Sequence, residues 1–139
     1  MVWLVRHFMC AVYSSQRGLH QRGKPVEAFS ETGRTLRVWR SWARVEKIDY
    51  WRGVRKATPA EIVADRFAER DRRTHALVWA DIPPGLIIRA LLVPTDEFDL
   101  FEPTLDLLIV TRAAEPAEVA HFGHDRLPLL AAASLATMQ

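Results

Sequence analysis

The stretch LIIRALLVPTDEFDLFEPTLDLLIVTR, residues 86–112, decides the fold that we predict for this chain. It holds two dense apolar runs, within 86–93 and 105–112, and an acidic, aromatic-bearing connection between them. Apolar runs with so few polar interruptions are typical of strands that are buried on both faces. We therefore predict a strand over each run, joined by a loop that Pro94 and Pro103 bracket.

Local signals outside this stretch predict helices as well as strands. Thr58, Pro59 and Glu61 have the spacing of a capping box with proline in the first turn, which predicts a helix over 59–73. Glu115-Pro116 followed by Gly123 predicts a short helix. The alanine-rich C-terminal segment predicts a last one. The predicted helices lie near 31–48, 59–73, 116–122 and 127–137.

The helix over 31–48 depends on a basic periodicity. Arginine or lysine recurs every three or four residues, while tryptophan and valine fall on the other side at helical spacing. A strand is the competing interpretation, because Leu36, Val38, Arg40 and Trp42 also lie two residues apart. The helical template accounts for more of the charges. With strands near 2–13 and 75–80, and a loop over 14–25, the prediction is one globular α+β domain over residues 1–139, a small, mainly antiparallel sheet covered by helices.

Composition and charge are those of an ordinary folded domain, with 49% hydrophobic and 26% charged residues in 139. The net charge of +2 is distributed unevenly along the chain. Residues 1–56 carry twelve Lys/Arg against four Asp/Glu (+8), and residues 57–139 carry seven against thirteen (−6). Either the two halves attract each other within one fold, or they form a basic and an acidic surface with separate tasks.

Neither a disulfide nor a targeting segment is predicted. The single Cys10 lies in an apolar run, which is typical of a buried thiol. The apolar N-terminus has Arg6 and His7 in its middle and no basic region ahead of it, which argues against a signal peptide. No run reaches the roughly 18 apolar residues of a membrane-spanning helix. We therefore expect a cytoplasmic protein with no membrane span.

The acidic connection is the leading candidate for a partner-binding site. Between Arg89 and Arg112 no basic residue intervenes, and aromatic residues lie among the acids. Charges of one sign raise the encounter rate with a basic protein, and aromatics supply buried area. The alternative is that the aromatics hold the loop on its own core. The leading hypothesis is an inhibitor or immunity-type protein that blocks a basic protein, such as a nuclease, through residues 95–106. The candidate contact residues are Asp96, Glu97, Phe98, Asp99, Phe101 and Glu102.

The basic segment predicts a different class of partner. Its arginines can pair with phosphates while its interleaved aromatics stack on bases, so nucleic acid is the alternative partner. The competing interpretation is a core face of tryptophans opposite a solvated face of arginines. A homo-oligomer is left open. The candidate nucleic-acid-binding residues are Arg34, Arg37, Arg40, Arg44, Lys47, Arg52, Arg55 and Lys56.

Signals for chemistry are weak. Glu118, His121 and His124 are spaced by three, which suits a metal on a continuous helix, but Gly123 ends the predicted helix before His124. The sequence has no glycine-rich phosphate loop, nucleophile elbow or dinucleotide fingerprint. We therefore assign no catalytic residue, metal or cofactor. A small α+β enzyme with a cleft near His75, His121 or Cys10 is the third hypothesis.

Overall fold

The computed structural model describes residues 10–14, 18–21, 25–30, 33–94 and 105–134. They form eleven strands, two short helices and a 3-10 turn. The strands are β1 (Cys10–Ser14), β2 (Gly18–Gln21), β3 (Pro25–Ser30), β4 (Gly33–Arg44), β5 (Thr58–Ile62), β6 (Arg66–Arg70), β7 (Leu77–Asp81), β8 (Leu86–Pro94), β9 (Leu105–Ala113), β10 (Arg126–Pro128) and β11 (Leu130–Ala132). The helices are α1 (Ile48–Gly53) and α2 (Pro116–Phe122), and the 3-10 turn is Val45–Lys47.

The strands form two sheets. The smaller sheet has the order β2-β1-β6-β7, and the larger has the order β10-β9-β4-β3-β5-β8-β11. Because β8 also pairs with β9, the strands β9, β4, β3, β5 and β8 close into a ring. Among the described pairings, β4–β9 is parallel and the others are antiparallel, so the larger sheet is mixed.

The last two strands complete the ring where β8 and β9 no longer pair with each other. β8 pairs with β9 over 90–94 and 105–109, and beyond those residues β11 pairs with β8 while β10 pairs with β9. Leu129 joins the two short strands. Its N–H donates to the Val110 carbonyl at 2.8 Å, and its carbonyl accepts the Arg89 N–H at 2.9 Å. The backbone between β10 and β11 therefore hydrogen-bonds to both strands.

Both faces of β8 and β9 are buried, which confirms the prediction made from the two apolar runs. Alternate residues belong to two different core clusters. One cluster includes Ile88, Ala90, Leu92, Leu107 and Ile109. The other includes Leu91, Val93, Leu108 and Val110. Burial on two faces explains why these strands carry continuous apolar runs instead of alternating ones.

The predicted helix over 31–48 is wrong. Most of that stretch is β4, and the α1 helix begins only at Ile48. β4 pairs with β3 on one edge and with β9 on the other, so its backbone hydrogen bonds go to neighbouring strands. Long-range pairing of this kind overrides a helical charge period. The alternation of Leu36 and Val38 was the better signal.

The predicted helix over 59–73 is also wrong, in spite of its capping signal. Its residues form β5 and β6. Residues 60–62 of β5 are buried and pair with both β3 and β8. Pro59 pairs only with β8, so its missing N–H costs no bond to β3. A local cap is worth about 1 kcal/mol, which burial and pairing on two edges outweigh.

Two smaller predictions near the ends of the chain also need correction. The helix over 127–137 is replaced by β10 and β11, because the gap between β8 and β9 offers free backbone donors and acceptors. The loop over 14–25 contains β2, which pairs with β1. The strand over 2–13 is borne out only as β1 at Cys10–Ser14, since residues 1–9 lie outside the described ranges.

The predicted helix over 116–122 and the strand over 75–80 are confirmed as α2 and β7. The α2 helix has the capping box between Glu115 and Glu118, and it ends at Gly123 in the left-handed conformation. The fold is therefore a mixed array of many strands with two short helices. No described helix is long and apolar enough to span a membrane.

Candidate functional site

A pocket of about 120 Å³ is lined by residues of both sheets. β4 and β9 of the larger sheet, β6 of the smaller sheet and the segment after α2 all contribute to it. The lining residues are Trp42, Arg44, Glu69, Arg72, Thr111, His124, Asp125 and Arg126. Of these residues, Glu69, Thr111 and His124 are buried.

His124 is placed by the end of α2. Gly123 adopts φ 65° there, which turns the chain and directs His124 away from the helix. The Nδ1 atom lies 3.1 Å from the Arg126 N–H nitrogen and 2.9 Å from the Arg126 carbonyl oxygen. Burial lowers the pKa of His124, and the positive charge of Arg72 lowers that pKa further. The imidazole is therefore neutral at neutral pH, and its Nδ1 atom contacts the Arg126 backbone.

Glu69 faces the other ring nitrogen of His124. Its Oε2 atom lies 3.9 Å from Nε2, which is beyond hydrogen-bond distance. The two side chains are 6% and 10% exposed. A carboxylate from β6 and a neutral imidazole thus border one shared space inside the pocket.

Arg126 fixes one wall of the pocket. Its guanidinium donates to both carboxylate oxygens of Glu46 at 3.0 Å and to the Thr111 carbonyl at 2.8 Å. The hydrogen bond from Arg126 lowers the pKa of Glu46, which keeps that carboxyl ionised. Because Glu46 lies in the 3-10 turn after β4, this pair joins the pocket to the segment that leads into α1.

Two further arginines stand at the rim. Arg44 is exposed, and it forms no ion pair within the described ranges. Arg72 pairs with Asp125 at 3.2 Å, and both side chains are more than half exposed. Trp42 is half-buried and supplies an apolar, aromatic wall. The site therefore combines an aromatic surface, a buried acceptor and exposed cations.

The candidate nucleic-acid-binding residues, from Arg34 to Lys56, are only partly brought together in the structure. The side chains of Arg44, Lys47, Arg52 and Lys56 are exposed, and Arg55 is half-buried with its guanidinium 5.6 Å from the Trp51 ring. Arg34, Arg37 and Arg40 lie on the strand β4 and not on a helix. The prediction that these residues form one face of a helix is therefore wrong. The residues from Arg44 to Lys56 do form an exposed basic segment.

The predicted acidic site lies outside the described residues. Asp96, Glu97, Phe98, Asp99, Phe101 and Glu102 all fall in 95–104. The structure does show where this segment is attached. Pro94 of β8 pairs with Leu105 of β9, so the two strands are antiparallel neighbours, and the ten residues connect their adjacent ends.

The three residues considered for a metal do not converge. Glu118 forms a two-bond ion pair with Arg112 at 2.7 and 2.8 Å, and His121 is exposed with its ring against Phe122. His124 points into the pocket. Within 10–14, 18–21, 25–30, 33–94 and 105–134, no group of three His, Cys, Asp or Glu side chains is arranged to hold a metal. His75 and His121 do not line the pocket.

Sequence reasoning missed Glu69, Arg72, Thr111, Asp125 and Arg126 as site residues. They come from β6, the turn after it, β9 and the start of β10, so no sequence window contains the set. Glu69 and Arg72 fall within the predicted helix over 59–73, which does not form. The one local signal was the glycine stop before His124, which frees that histidine from α2.

The Arg112–Glu118 ion pair should make the stability of the fold depend on pH. Hydrogen bonds from Arg112 lower the pKa of Glu118 from 4.5 to about 2. A carboxyl with a lowered folded-state pKa stabilises the fold above its unfolded pKa, and this contribution is lost as the pH falls toward the folded value. We expect Glu118→Gln to reduce the free energy of unfolding near neutral pH, and the difference from wild type to shrink between 4.5 and about 2. Urea denaturation at several pH values across this range measures the difference in the free energy of unfolding.

The matched control is Arg112→Gln, which removes the other partner. In that background Glu118→Gln should add much less pH dependence. A wild-type to Glu118→Gln difference that stays constant down to the lowest pH would contradict the ion pair as its source.

The chain matches no family model, and no curated protein or solved structure matches it.

Proposed function

We propose that this protein binds single-stranded nucleic acid through an exposed basic-aromatic surface. The surface lies in the segment that leads from the end of β4 through α1 to β5. It consists of Arg44, Lys47, Tyr50, Arg52, Arg55 and Lys56. The observation that carries the proposal is the exposure of four of these cations together with Tyr50, whose side chain is 48% exposed.

The surface is held by packing beneath it. Ile48 and Trp51 are half-buried against the core cluster that contains Ala43 and Ala57. Trp51 therefore acts as an anchor. The Tyr50 ring packs edge-to-face with the Trp51 ring, with their centroids 5.6 Å apart, and Tyr50 remains 48% exposed. An exposed aromatic on a fixed base can stack on a nucleotide base at a small cost in conformational entropy.

The charge balance of the segment suits a polyanion. Residues 44–56 carry five cationic residues and two carboxylates, Glu46 and Asp49. Both carboxylate oxygens of Glu46 accept hydrogen bonds from Arg126. Asp49 is the second carboxylate of the segment, against five cationic residues. Phosphates that replace counterions along such a surface give binding that weakens steeply with salt.

The test is fluorescence anisotropy of a labelled single-stranded oligonucleotide over a salt series. Five phosphate contacts predict a slope of log affinity against log salt of about −3.5 for a single strand. We expect the triple variant Lys47→Glu, Arg52→Glu, Lys56→Glu to bind at least about tenfold more weakly at low salt and to lower the steepness of that slope by about 2.

Two single variants control for net charge. Asp49→Lys lies on α1 and should strengthen binding. Asp81→Lys changes the net charge equally, but it lies at the end of β7 in the other sheet and should leave affinity almost unchanged. Failure of the wild-type protein to bind any oligonucleotide at low salt would remove the proposal.

A second candidate is the inhibitor or immunity-type protein that blocks a basic partner through residues 95–106. The pairing of Pro94 with Leu105 supports it, because the acid-rich segment then connects the adjacent ends of two core strands. Charge reversal of Asp96, Asp99 and Glu102 should slow association with such a partner and make it less dependent on salt. Unchanged binding after all three reversals would remove this candidate.

A further inference from the structure

The strand β7 forms one edge of the smaller sheet. The order of that sheet is β2-β1-β6-β7, and within the described residues β7 pairs with β6 alone. Its sequence, LVWAD, contains no proline, lysine or arginine, the residues with which natural proteins commonly protect an edge strand. The edge strands of the larger sheet differ, because β10 and β11 have three residues each and β10 contains Pro128. The edge of β7 is therefore a template on which another strand can pair.

The hydrogen bonds of the β6–β7 hairpin show which backbone groups face this edge. At one end of the hairpin, the Ile82 N–H donates to the Asp65 carbonyl at 2.8 Å. Positions that bond to the neighbouring strand alternate with positions that do not in an antiparallel pair. In the register of β6 with β7, residues 78 and 80 therefore bond to β6. The residues whose N–H and C=O groups point away from β6 are Leu77, Trp79 and Asp81.

The side chains of β7 are divided between its two faces. Val78 and Ala80 are half-buried and pack against the core cluster that contains Phe67. Trp79 lies on the other face, with its ring 5.4 Å from the Arg66 guanidinium, and it is half-buried like Leu77. A strand that pairs with the edge of β7 would cover apolar side chains on this outer face and leave the core unchanged.

We propose that β7 pairs with β7 of a second copy of this chain, antiparallel and about a two-fold axis at Trp79. In this register Trp79 faces Trp79 of the second copy, and Leu77 of each copy faces Asp81 of the other. The three facing pairs use only backbone groups that point away from β6, so they exchange about six hydrogen bonds. Two four-stranded sheets thereby become one continuous sheet.

The charges at the two ends of the hairpin favour this occupant and this direction. The turn before β7, residues 70–76, carries three arginines and one aspartate, a net charge of +2. The other end carries Asp65, Arg66 and Asp81, a net charge of −1. Antiparallel pairing brings the acidic end of each copy beside the basic turn of the other, and the two-fold axis repeats this contact. Parallel pairing would bring like-charged ends together.

The dimer should form reversibly, because the edge that it uses is only five residues long. Stable interfaces bury about 1,200–2,000 Å², and smaller ones are typical of weak complexes. We expect sedimentation velocity of the full chain to show monomer at about 1 µM, dimer at about 500 µM, and half dissociation between about 10 and 100 µM. A monomer at every concentration up to about 500 µM would overturn the inference.

Opposite charges at position 79 test the register, because the two-fold axis places these two side chains face to face. Trp79→Lys and Trp79→Glu should each weaken self-association at least about tenfold, since like charges then meet at the axis. An equimolar mixture of the two variants should associate again, because opposite charges meet there. Val119→Lys, at an exposed apolar position on α2, is the matched control and should dimerise like the wild type.

Asp81→Lys is a second test that needs no repacking, because Asp81 is exposed at the end of β7. It places a cation beside the basic turn of the second copy and should weaken the dimer about threefold or more. Circular dichroism establishes that each variant is folded. A folded Trp79→Lys variant that dimerises like the wild type, or a mixture that stays monomeric, would overturn the inference. So would a mass that rises beyond that of a dimer, because two-fold pairing closes at two copies.

Discussion

Replacing Gly123 with alanine is expected to lower the free energy of unfolding by about 2–5 kcal/mol, because two costs combine. Gly123 has φ 65°, a conformation that costs a residue with a Cβ atom about 1–2 kcal/mol. In addition, that Cβ would lie 2.2 Å from Asp71 Cγ. Overpacking of this kind costs about 1–3 kcal/mol. A thermal melt should show a loss on the order of 10 °C for a domain of this size.

Asp71 cannot easily move aside for the added methyl group. Its carboxylate accepts the backbone N–H groups of Arg73 and Thr74, at 2.7 and 3.3 Å, and also the Arg73 guanidinium. The side-chain hydrogen bond from Arg73 is the largest contribution to the lowered pKa of Asp71, so the carboxyl stays charged. The Arg72 N–H also donates to the Gly123 carbonyl, which couples this turn to the pocket.

Two other glycines provide the controls. Gly85 has φ 86° with open space around its Cα, so Gly85→Ala measures the backbone cost alone, about 1–2 kcal/mol. Gly53 has an ordinary φ and open space, and Gly53→Ala should be neutral or slightly stabilising. Equal losses for Gly85→Ala and Gly123→Ala would show that the contact with Asp71 costs nothing.

Ile109→Ala is expected to cost about 2–5 kcal/mol, because it leaves a cavity in the core cluster that also contains Ile88 and Leu107. Ile109 is 0% exposed. It is in register with Trp42 of β4 on one side and Ala90 of β8 on the other. Neither neighbour can easily fill the space, since both are fixed by pairing. Chemical denaturation monitored by tryptophan fluorescence measures the loss.

Two further substitutions, one smaller and one at an exposed position, test whether burial causes that loss. Ile109→Val removes one methylene and should cost about 0.5–1.5 kcal/mol. Val119→Ala removes apolar atoms from an exposed position on α2 and should change stability by less than about 0.5 kcal/mol. A loss for Ile109→Ala no larger than that for Val119→Ala would contradict the buried position of Ile109.

The prediction of β8, β9 and α2 from sequence succeeded because their signals are local and agree with the fold. Continuous apolar runs have few solutions other than strands buried on two faces, and β8 and β9 adopt that solution. The α2 helix carries a proline in its first turn, a capping box and a glycine stop within nine residues. For the segment 59–73 the capping signal was equally clear, but pairing with β3 and β8 outweighed it.

The sequence by itself therefore determined the two central strands, the short helix before His124 and the basic character of the segment after β4. Only the tertiary structure decided which residues meet in the pocket. Pairing of β9 with β10 brings Thr111 and Arg126 together, and Glu69 of β6, in the other sheet, lines the same pocket. The physical reason is that helix caps and apolar runs act within a few residues, whereas ladder hydrogen bonds and core packing are realised only when distant strands come into register.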